Sequence, residues 1–542
     1  MKKIGNTGSF KKFYLNDQIY VDKTEYIYNL INNEARVFIS RPRRFGKSLT
    51  LDTIATLFET GVEPYFKGTW IYDKWTEPTY PVFRLSFLNL DNSSLDLFKK
   101  QLNSKITEFA NKISVKGYVE KTEPEDSILS LLEKLEEETR QIVILIDEYD
   151  YQLTSNINND ELYKQFQQKI KRIYANIKDK FAIKFLGITG VTRLKDVAIF
   201  SVGSDIRDIT NSSAYSQMIG FTRDEIKKFY IDYLKLAASY ENNCSVDNVT
   251  EAQIESLLDR LAKNYDGYCF DEFYKKKVFS TWSVNSFFQS IVENKFVFFD
   301  EYWYDNGGLP SILVSYLKTH ELNIFEYLDK DKFLKVSSDD FKNPTALTTI
   351  NQNVLMCQTG YLTLRSDLKK SSTVLLGIPN GEIYKALNRL LANNIFKGKA
   401  DVTDDQGKNL LEEGTVDDII NLFNSALNSV SYDNYPIVSE SSVQNMLKLY
   451  LLGAHQEVLS EVHEAKGRAD LIVNTDIRRI VFEFKYAQNE SEVKTKLSEA
   501  VEQIKSRDYG NILPKKHELL RIAAVFNADP KVRAFTENQI VP

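Results

Sequence analysis

Four short β-rich runs punctuate the first 240 residues: RVFIS (36–40), YPVFRLSF (80–87), QIVILIDEYD (141–150) and FAIKFLGITG (181–190). Helical stretches such as 48–59 and 161–179 alternate with them. Apolar runs this short, bounded by polar residues, read as strands buried on both faces. Their alternation with helices predicts a parallel sheet covered by helices on both sides. All strands of such a sheet end at one edge, and ligands bind at that carboxyl edge.

The first candidate at this edge is RVFISRPRRFGKSLT (36–50), where an apolar run passes through RPRRFGKS directly into the amphipathic SLTLDTIATLF. A helix N-terminus presents unpaired N–H groups and the positive end of the helix dipole to phosphate. In that setting Lys47 supplies a cation to the β and γ oxygens and Ser48 a ligand for Mg²⁺. Of the two glycines of a standard phosphate-binding loop only Gly46 is present, because Arg41 stands where the first would be. Arginine lacks glycine's φ freedom. The loop path or the phosphate contacts are therefore expected to differ, with Arg41, Arg43 or Arg44 supplying charge that backbone amides supply elsewhere.

The second candidate is QIVILIDEYD, ending in Asp147 and Glu148. One carboxylate would hold the Mg²⁺ shell and the next, Glu148, would polarise the attacking water. They follow the lysine by 147 − 47 = 100 residues, which leaves room for intervening strands. The third is FAIKFLGITGVTR, whose polar end carries Thr189, Thr192 and Arg193 where a sensor of the γ-phosphate would sit. Any one piece reads equally as a helix cap or a solvated charge. Three in order on one sheet edge predict a nucleotide site.

From about 222 to 335 the text turns helical, as in TRDEIKKFYIDYLKLAASY and EAQIESLLDRLAKNYDGYCF, with apolar residues three and four apart, and reads as a helical lid. Residues 336–430 read as a winged-helix-like or plain helical module in which QTGYLTLRSD and STVLLGIPN are short strands. With boundaries placed at 221, 335 and 430, a last domain at 431–542 shows the order helix, three strands, helix, strand. The expected fold class is thus a multidomain α/β chain with a P-loop sheet, a helical and winged-helix-like middle, and a restriction-endonuclease-like α/β C-terminal domain.

That last domain contains EVHEAKGRADLIVNTDIRRIVFEFKYA. Glu483 and Lys485 stand two apart and so point to one face of their strand. Asp470 joins them if its strand pairs with theirs. Two carboxylates and a lysine make a Mg²⁺ site in which the acids hold metal that activates water and polarises a phosphate, and the lysine orients the water or stabilises charge. The spacing D-x(12)-E-x-K is that of a PD-(D/E)XK nuclease, and Glu461 or Glu457 is a candidate additional acid. Residues 440–542 hold fifteen Lys plus Arg against fifteen Asp plus Glu, so phosphate contact would need a local basic stripe.

The whole chain carries −6, from 69 basic and 75 acidic residues, which gives no global pull toward nucleic acid or anionic lipid. No run approaches the ~20 apolar residues of a membrane helix. MKKIGNTGSF lacks the apolar core of a signal peptide, so a cytoplasmic protein with no membrane association is expected. Cys244, Cys269 and Cys357 form no CxxC pair, and the four histidines show no HxxxH spacing, which argues against disulfides and structural zinc.

RPRRFGKS, together with VDKT (21–24), LIDEYD, ITGVTR, GFTRDEI, YDGYCF, QTGYLTL and IPNGEI, resembles the bacterial AAA-ATPase-like family that carries a C-terminal PD-(D/E)XK nuclease-like domain. The resemblance spans nearly the whole chain. It implies that the arginine-rich loop is the family's own form of the phosphate loop, with ATP and Mg²⁺ as cofactors. Gln503 and Tyr509 fall where related nucleases place a further motif. The chain departs from the family at TWSVNS (281–286), where an Asn-Pro pair is usual. The resemblance implies an ATPase coupled to a metal-dependent nuclease acting on DNA or RNA. The alternative is a nucleotide-switched regulator whose nuclease fold binds nucleic acid or a partner without cleaving. A third reading gives the loop a non-nucleotide anion, and oligomeric state, including a homo-oligomer, stays open.

Overall fold

The structure is a computed structural model that describes residues 1–194, 205–303, 311–317, 324–344, 346–396, 407–454, 456–464, 467–507, 509 and 517–542. It divides into two compact units, residues 1–320 with 333–383, and residues 321–332 with 384–542.

In the first unit, β1 (Arg36–Ser40), β2 (Val82–Ser86), β3 (Ile142–Asp147), β4 (Ile183–Gly190) and β5 (Arg207–Asp208) form one parallel sheet in the order β2-β3-β4-β1-β5. The strands of β1, β3 and β4 are buried almost throughout, as parallel strands covered on both faces must be. The helices Lys47–Thr60, Leu95–Lys112, Pro124–Glu137 and Asp160–Ile177 provide the cover. Because β4 separates β1 from β3, the ends of Ser40, Asp147 and Gly190 lie at one edge, which is the strand order and edge of a P-loop NTPase core.

The helices Arg223–Phe229, Ile231–Glu241, Glu251–Tyr265 and Thr281–Asn294 pack into an apolar cluster with Ile19 and Val21 of the N-terminal segment. The VDKT run ties that segment down. Asp22 accepts from the Thr24 amide and hydroxyl and from the Trp70 amide, while buried Lys23 donates to Glu225 and to the Gln217 carbonyl.

Further along, β6 (Leu334–Ser337), β7 (Thr363–Leu364) and β8 (Thr373–Gly377) make an antiparallel sheet in the order β6-β8-β7, with the helices Ser338–Lys342 and Gln352–Thr359 between β6 and β7. Strand, two helices and a returning two-stranded wing give the winged-helix-like arrangement.

In the second unit, β9 (Glu457–Glu464), β10 (Gly467–Asn474), β11 (Arg478–Ala487), β12 (Glu518–Asn527) and β13 (Ala534–Ile540) form a sheet in the order β13-β12-β11-β10-β9. Only β11 and β12 are parallel, and the helix Glu490–Arg507 makes the crossover between them. It buries Ala500 and Ile504 against Val481 and Ala523. Within the expected 431–542 domain the sequence reading named its last strand at what is now β12, so β13 is an added element. Its segment AFTENQI is polar and buries one residue, Phe535. The Asn424 side chain fixes it, donating to the Phe535 carbonyl at 3.0 Å and accepting from its amide at 2.8 Å.

Candidate functional site

Between β1 and the helix Lys47–Thr60 the chain turns through Arg44 (φ 70) and Gly46 (φ 101), the two left-handed residues of the loop. Arg41 is not among the positive-φ residues, so glycine's freedom is needed at 46 and not at 41. The Lys47 ammonium is buried inside the loop and donates to the Arg41 and Pro42 carbonyls, each at 2.9 Å. Burial pushes it down to about 8 against the opposing pull of Asp147, Asp150 and Glu148.

The start of the helix Lys47–Thr60 and the end of β4 both reach Asp147 at the end of β3. Ser48 Oγ donates to Asp147 Oδ2 at 2.5 Å, and Thr189 Oγ1 donates to Asp147 Oδ1 at 2.5 Å. Glu148 follows in a left-handed conformation (φ 52). Its Oε2 is buried and has no hydrogen-bond partner among the described residues. Burial, then the Asp147 charge, raises its carboxyl above the usual range. Thr192 is turned to Asp150, which accepts from its amide and its hydroxyl, each at 2.6 Å.

A cavity of about 500 Å³ opens beside the loop, and its lining includes Arg43, Arg44, Gly46, Lys47, Ser48 and Glu148 together with the apolar Ile19, Val21, Phe221 and Tyr230. A lining with both cations and apolar side chains can take a ligand that carries both phosphate and an aromatic ring. Sequence reading missed three contributors to this cavity: the N-terminal Gly5–Gly8, Lys23, and Thr281, Trp282 and Asn285 of the departing TWSVNS run. That run grips the loop. Thr281 Oγ1 and the Trp282 amide donate to the Arg44 carbonyl at 3.0 and 3.3 Å, and the Arg44 guanidinium lies 4.1 Å from the centre of a Trp282 ring.

Arg41 and Arg193, expected at the nucleotide, lie elsewhere. Arg41 is 1% exposed, donates to the Ser40 carbonyl at 2.9 Å and the Thr210 carbonyl at 2.7 Å, and stacks 4.1 Å over the Phe270 ring. Arg193 pairs with Asp208. Both border a small separate cavity of about 40 Å³ together with Cys269, Cys357 and Gln358. The physical reason is the partners at hand: the β1–β5 margin gives the Arg41 guanidinium two main-chain carbonyls and the Phe270 face, and gives Arg193 the Asp208 carboxylate.

In the second unit the three motif residues are together. The pairing of β10 with β11 sets Leu471 opposite Phe482, one step from Asp470 and Glu483. Asp470 Oδ2 accepts from the Phe484 amide at 2.9 Å, and Lys485 Nζ donates to Glu483 Oε1 at 2.9 Å. Glu483 is fully buried, with Oε2 unpartnered among the described residues, and burial together with the Asp470 charge pushes it up to about 7. Burial also raises Asp470. Burial works to lower the Lys485 ammonium, but Glu483 beside it leaves it above its ordinary value.

The additional polar groups come from the helix Glu440–Gly453: Glu440 lies 3.4 Å from the Lys485 ammonium, and Gln444 hydrogen-bonds Asp470. No spacing in the sequence marks them, because they enter from a separate helix. The side chains of Glu461 and Glu457 lie outside the described residues. Gln503 sits on the helix Glu490–Arg507 and makes no hydrogen bond to the two acids among the described residues. Tyr509 is buried in the core, where its hydroxyl accepts from Arg507 at 2.8 Å.

Among the described residues no three His, Cys, Asp or Glu side chains gather into a cage for a metal. Mg²⁺ does not require one, since it keeps several waters and binds through one or two carboxylates plus substrate phosphates. The Ser48–Asp147 pair, and Glu483 Oε2 beside Asp470, fit that habit.

Residues 4–200 match the AAA-ATPase-like family, described as "Predicted AAA-ATPase", and residues 438–535 match the PD-(D/E)XK nuclease superfamily. A curated relative, described as an uncharacterized protein in the vnfD 5′ region of Azotobacter chroococcum mcd 1, is 26% identical over 530 residues, which cover 95% of this chain and 94% of that protein. Among solved structures, Cdc6p from Pyrobaculum aerophilum is 11% identical with a TM-score of 0.24, covering 72% of this chain and 99% of that one. The Aeropyrum pernix Orc1 protein, solved in complex with DNA, is 10% identical with a TM-score of 0.27, covering 68% and 92%. Likenesses this distant carry no argument. No helix among the described residues is long and apolar enough to cross a membrane. The two matches fall on the P-loop sheet and on the sheet that carries Asp470, Glu483 and Lys485, so residues 4–200 are similar to an AAA-ATPase-like domain and residues 438–535 to a PD-(D/E)XK nuclease superfamily domain.

Proposed function

We propose that the chain binds and hydrolyses ATP with Mg²⁺ and cleaves DNA or RNA at its C-terminal site, in the bacterial cytoplasm. In this reading residues 1–221 are the ATPase domain, 222–335 the lid, 336–430 the winged-helix-like module and 431–542 the nuclease. The observation that carries it is the convergence on Asp147, at the end of β3, of Ser48 from the start of the helix Lys47–Thr60 and Thr189 from the end of β4, beside a cavity of about 500 Å³.

Lys47 exchanges its carbonyl partners for phosphate oxygens, and the amides of the helix N-terminus complete the cradle. Arg43 and Arg44 border the same cavity and add charge. Glu148, with its free Oε2, takes a proton from the attacking water. Bound magnesium would supply charge neutralisation at the phosphates and, at the second site, an activated water. There Asp470 and Glu483 are the residues that would hold it, and Lys485 holds the water or the developing charge in place.

The test uses the full chain. ATP with Mg²⁺ is expected to raise Tm and to be hydrolysed, and Lys47→Ala to abolish both effects. An absent ATP shift would favour a non-nucleotide anion at the loop. Incubation with Mg²⁺ or Mn²⁺ and single- or double-stranded DNA and RNA is expected to give cleavage that Glu483→Ala removes. The neutral charge of residues 440–542 favours the second reading, a switch that binds without cutting. Wild-type cleavage lost in the Glu483 variant rules that reading out.

A further inference from the structure

The helix Gln352–Thr359 of the winged-helix-like module ends in Gln358-Thr359-Gly360-Tyr361, and this corner meets the nucleotide-site sheet where its strands end. The Gln358 carboxamide accepts from the Arg193 amide at 3.2 Å and donates to the Arg193 carbonyl at 3.3 Å. It holds both main-chain polar groups of one residue, as a neighbouring strand would.

Every residue from Thr189 to Arg193 is then fixed. Thr189 donates to Asp147, the Gly190 carbonyl accepts from the Arg41 amide at 3.2 Å, and the Val191 and Thr192 amides donate to Asp150 Oδ2 at 3.1 and 2.6 Å. Arg193 completes the series on Gln358. The same corner presses on the phosphate loop. Gly360 has φ +96, and a Cβ there would fall 2.9 Å from Pro42 Cβ, while Trp303 Nε1 donates to the Arg43 carbonyl at 3.3 Å.

We propose that Gln358 is a positioning residue for nucleotide hydrolysis, acting through the main chain of Arg193 to set where Thr189 holds Asp147. This rests on the nucleotide reading of the site. The module thereby acts as a brace for the catalytic edge, and its corner is the point through which a change in the module reaches the Asp147 carboxylate. In the second unit Asn424 grips Phe535 with the same pair of bonds, where neither belongs to a candidate site. Such a grip can serve stability alone, so the test separates the two roles.

Wild type, Gln358→Leu and Gln358→Glu are compared as full chains for steady-state ATP turnover, binding of a non-hydrolysable ATP analogue, and Tm. Leucine removes both bonds, whereas glutamate keeps the acceptor and loses the donor. The expected result is a kcat lowered about ten- to a hundred-fold in Q358L and by less in Q358E, with KM and analogue affinity within about three-fold of wild type. An unchanged kcat in Q358L, with wild type active, overturns this proposal alone. So does a joint fall of kcat, analogue affinity and Tm in both variants. A wild-type chain that neither binds nor hydrolyses ATP overturns the nucleotide reading and this proposal with it.

Discussion

Arg41 is a buried cation whose guanidinium is held by two main-chain carbonyls and an aromatic face. Desolvation pushes it down to about 9 while Asp208 and Cys269 work in the opposite direction. Its Nε and Nη2 have no hydrogen-bond partner among the described residues. A group in such a place contributes to the stability of the loop root and not to phosphate contact. Arg41→Gly is therefore expected to cost about 3 kcal/mol of stability, the scale of emptying a large buried site. ATP affinity should stay within about three-fold, since a factor of three is under 1 kcal/mol. Thermal melts with and without ATP check this, and a large loss of affinity at constant Tm would return Arg41 to the phosphates. That Lys47 and Ser48 open a helix while Asp147 and Thr189 end strands of one sheet was legible in the sequence, because the apolar runs and the GKS step mark those element ends. The direction of the Arg41 and Arg193 side chains was not, because it depends on Thr210, Phe270 and Asp208, far along the chain.

The helix Gly381–Ile395 begins with Glu382, a buried carboxyl in the IPNGEI run that sequence reading used only as a family mark. Its two oxygens accept from Ser283 Oγ and from the Trp303 amide, each at 2.8 Å. Burial is the main cause that pushes it up to about 8, with Glu301 and Asp300 adding to it. A carboxyl whose folded value lies above its unfolded value stabilises the fold fully below the unfolded value of 4.5 and loses that contribution as pH rises through about 8. Glu382→Gln removes the titration and keeps the shape, with Ser283 able to turn from donor to acceptor. Wild type is expected to fall behind the variant in stability as pH rises from 5 to 8, by up to about 1.4 kcal/mol per pH unit. Parallel Tm curves for the two proteins across that range would show that Glu382 stays ionised. At this scale the long apolar strands of both sheets were legible from periodicity. β13 was not, because an edge strand held by Asn424 has little apolar pattern to show, and the role of TWSVNS was not, because its contact with Arg44 joins residues 237 apart in sequence.

The whole molecule joins a P-loop sheet to a sheet carrying Asp470, Glu483 and Lys485, and on the proposed reading of ATP at the first and phosphodiester cleavage at the second, the question at this scale is whether the first controls the second. Sequence proximity of the domains says only that they share a chain. Coupling has a thermodynamic meaning: a nucleotide alters cleavage only if it binds two states of the protein differently, and typical couplings correspond to about five- to 150-fold effects. Four arms decide it, wild type and Lys47→Ala, each with and without saturating ATP, with Glu483→Ala as the zero of cleavage. Lys47 lies in the phosphate loop and belongs to the first unit, so its loss should leave the Asp470, Glu483 and Lys485 geometry intact. If nucleotide controls the nuclease, wild-type cleavage changes by about five-fold or more on adding ATP and the Lys47 variant holds at the ATP-free rate. Equal cleavage in all four arms would instead make the two domains independent enzymes on one chain. A Lys47 variant that still responds to ATP would put the controlling nucleotide somewhere other than the loop at Gly46.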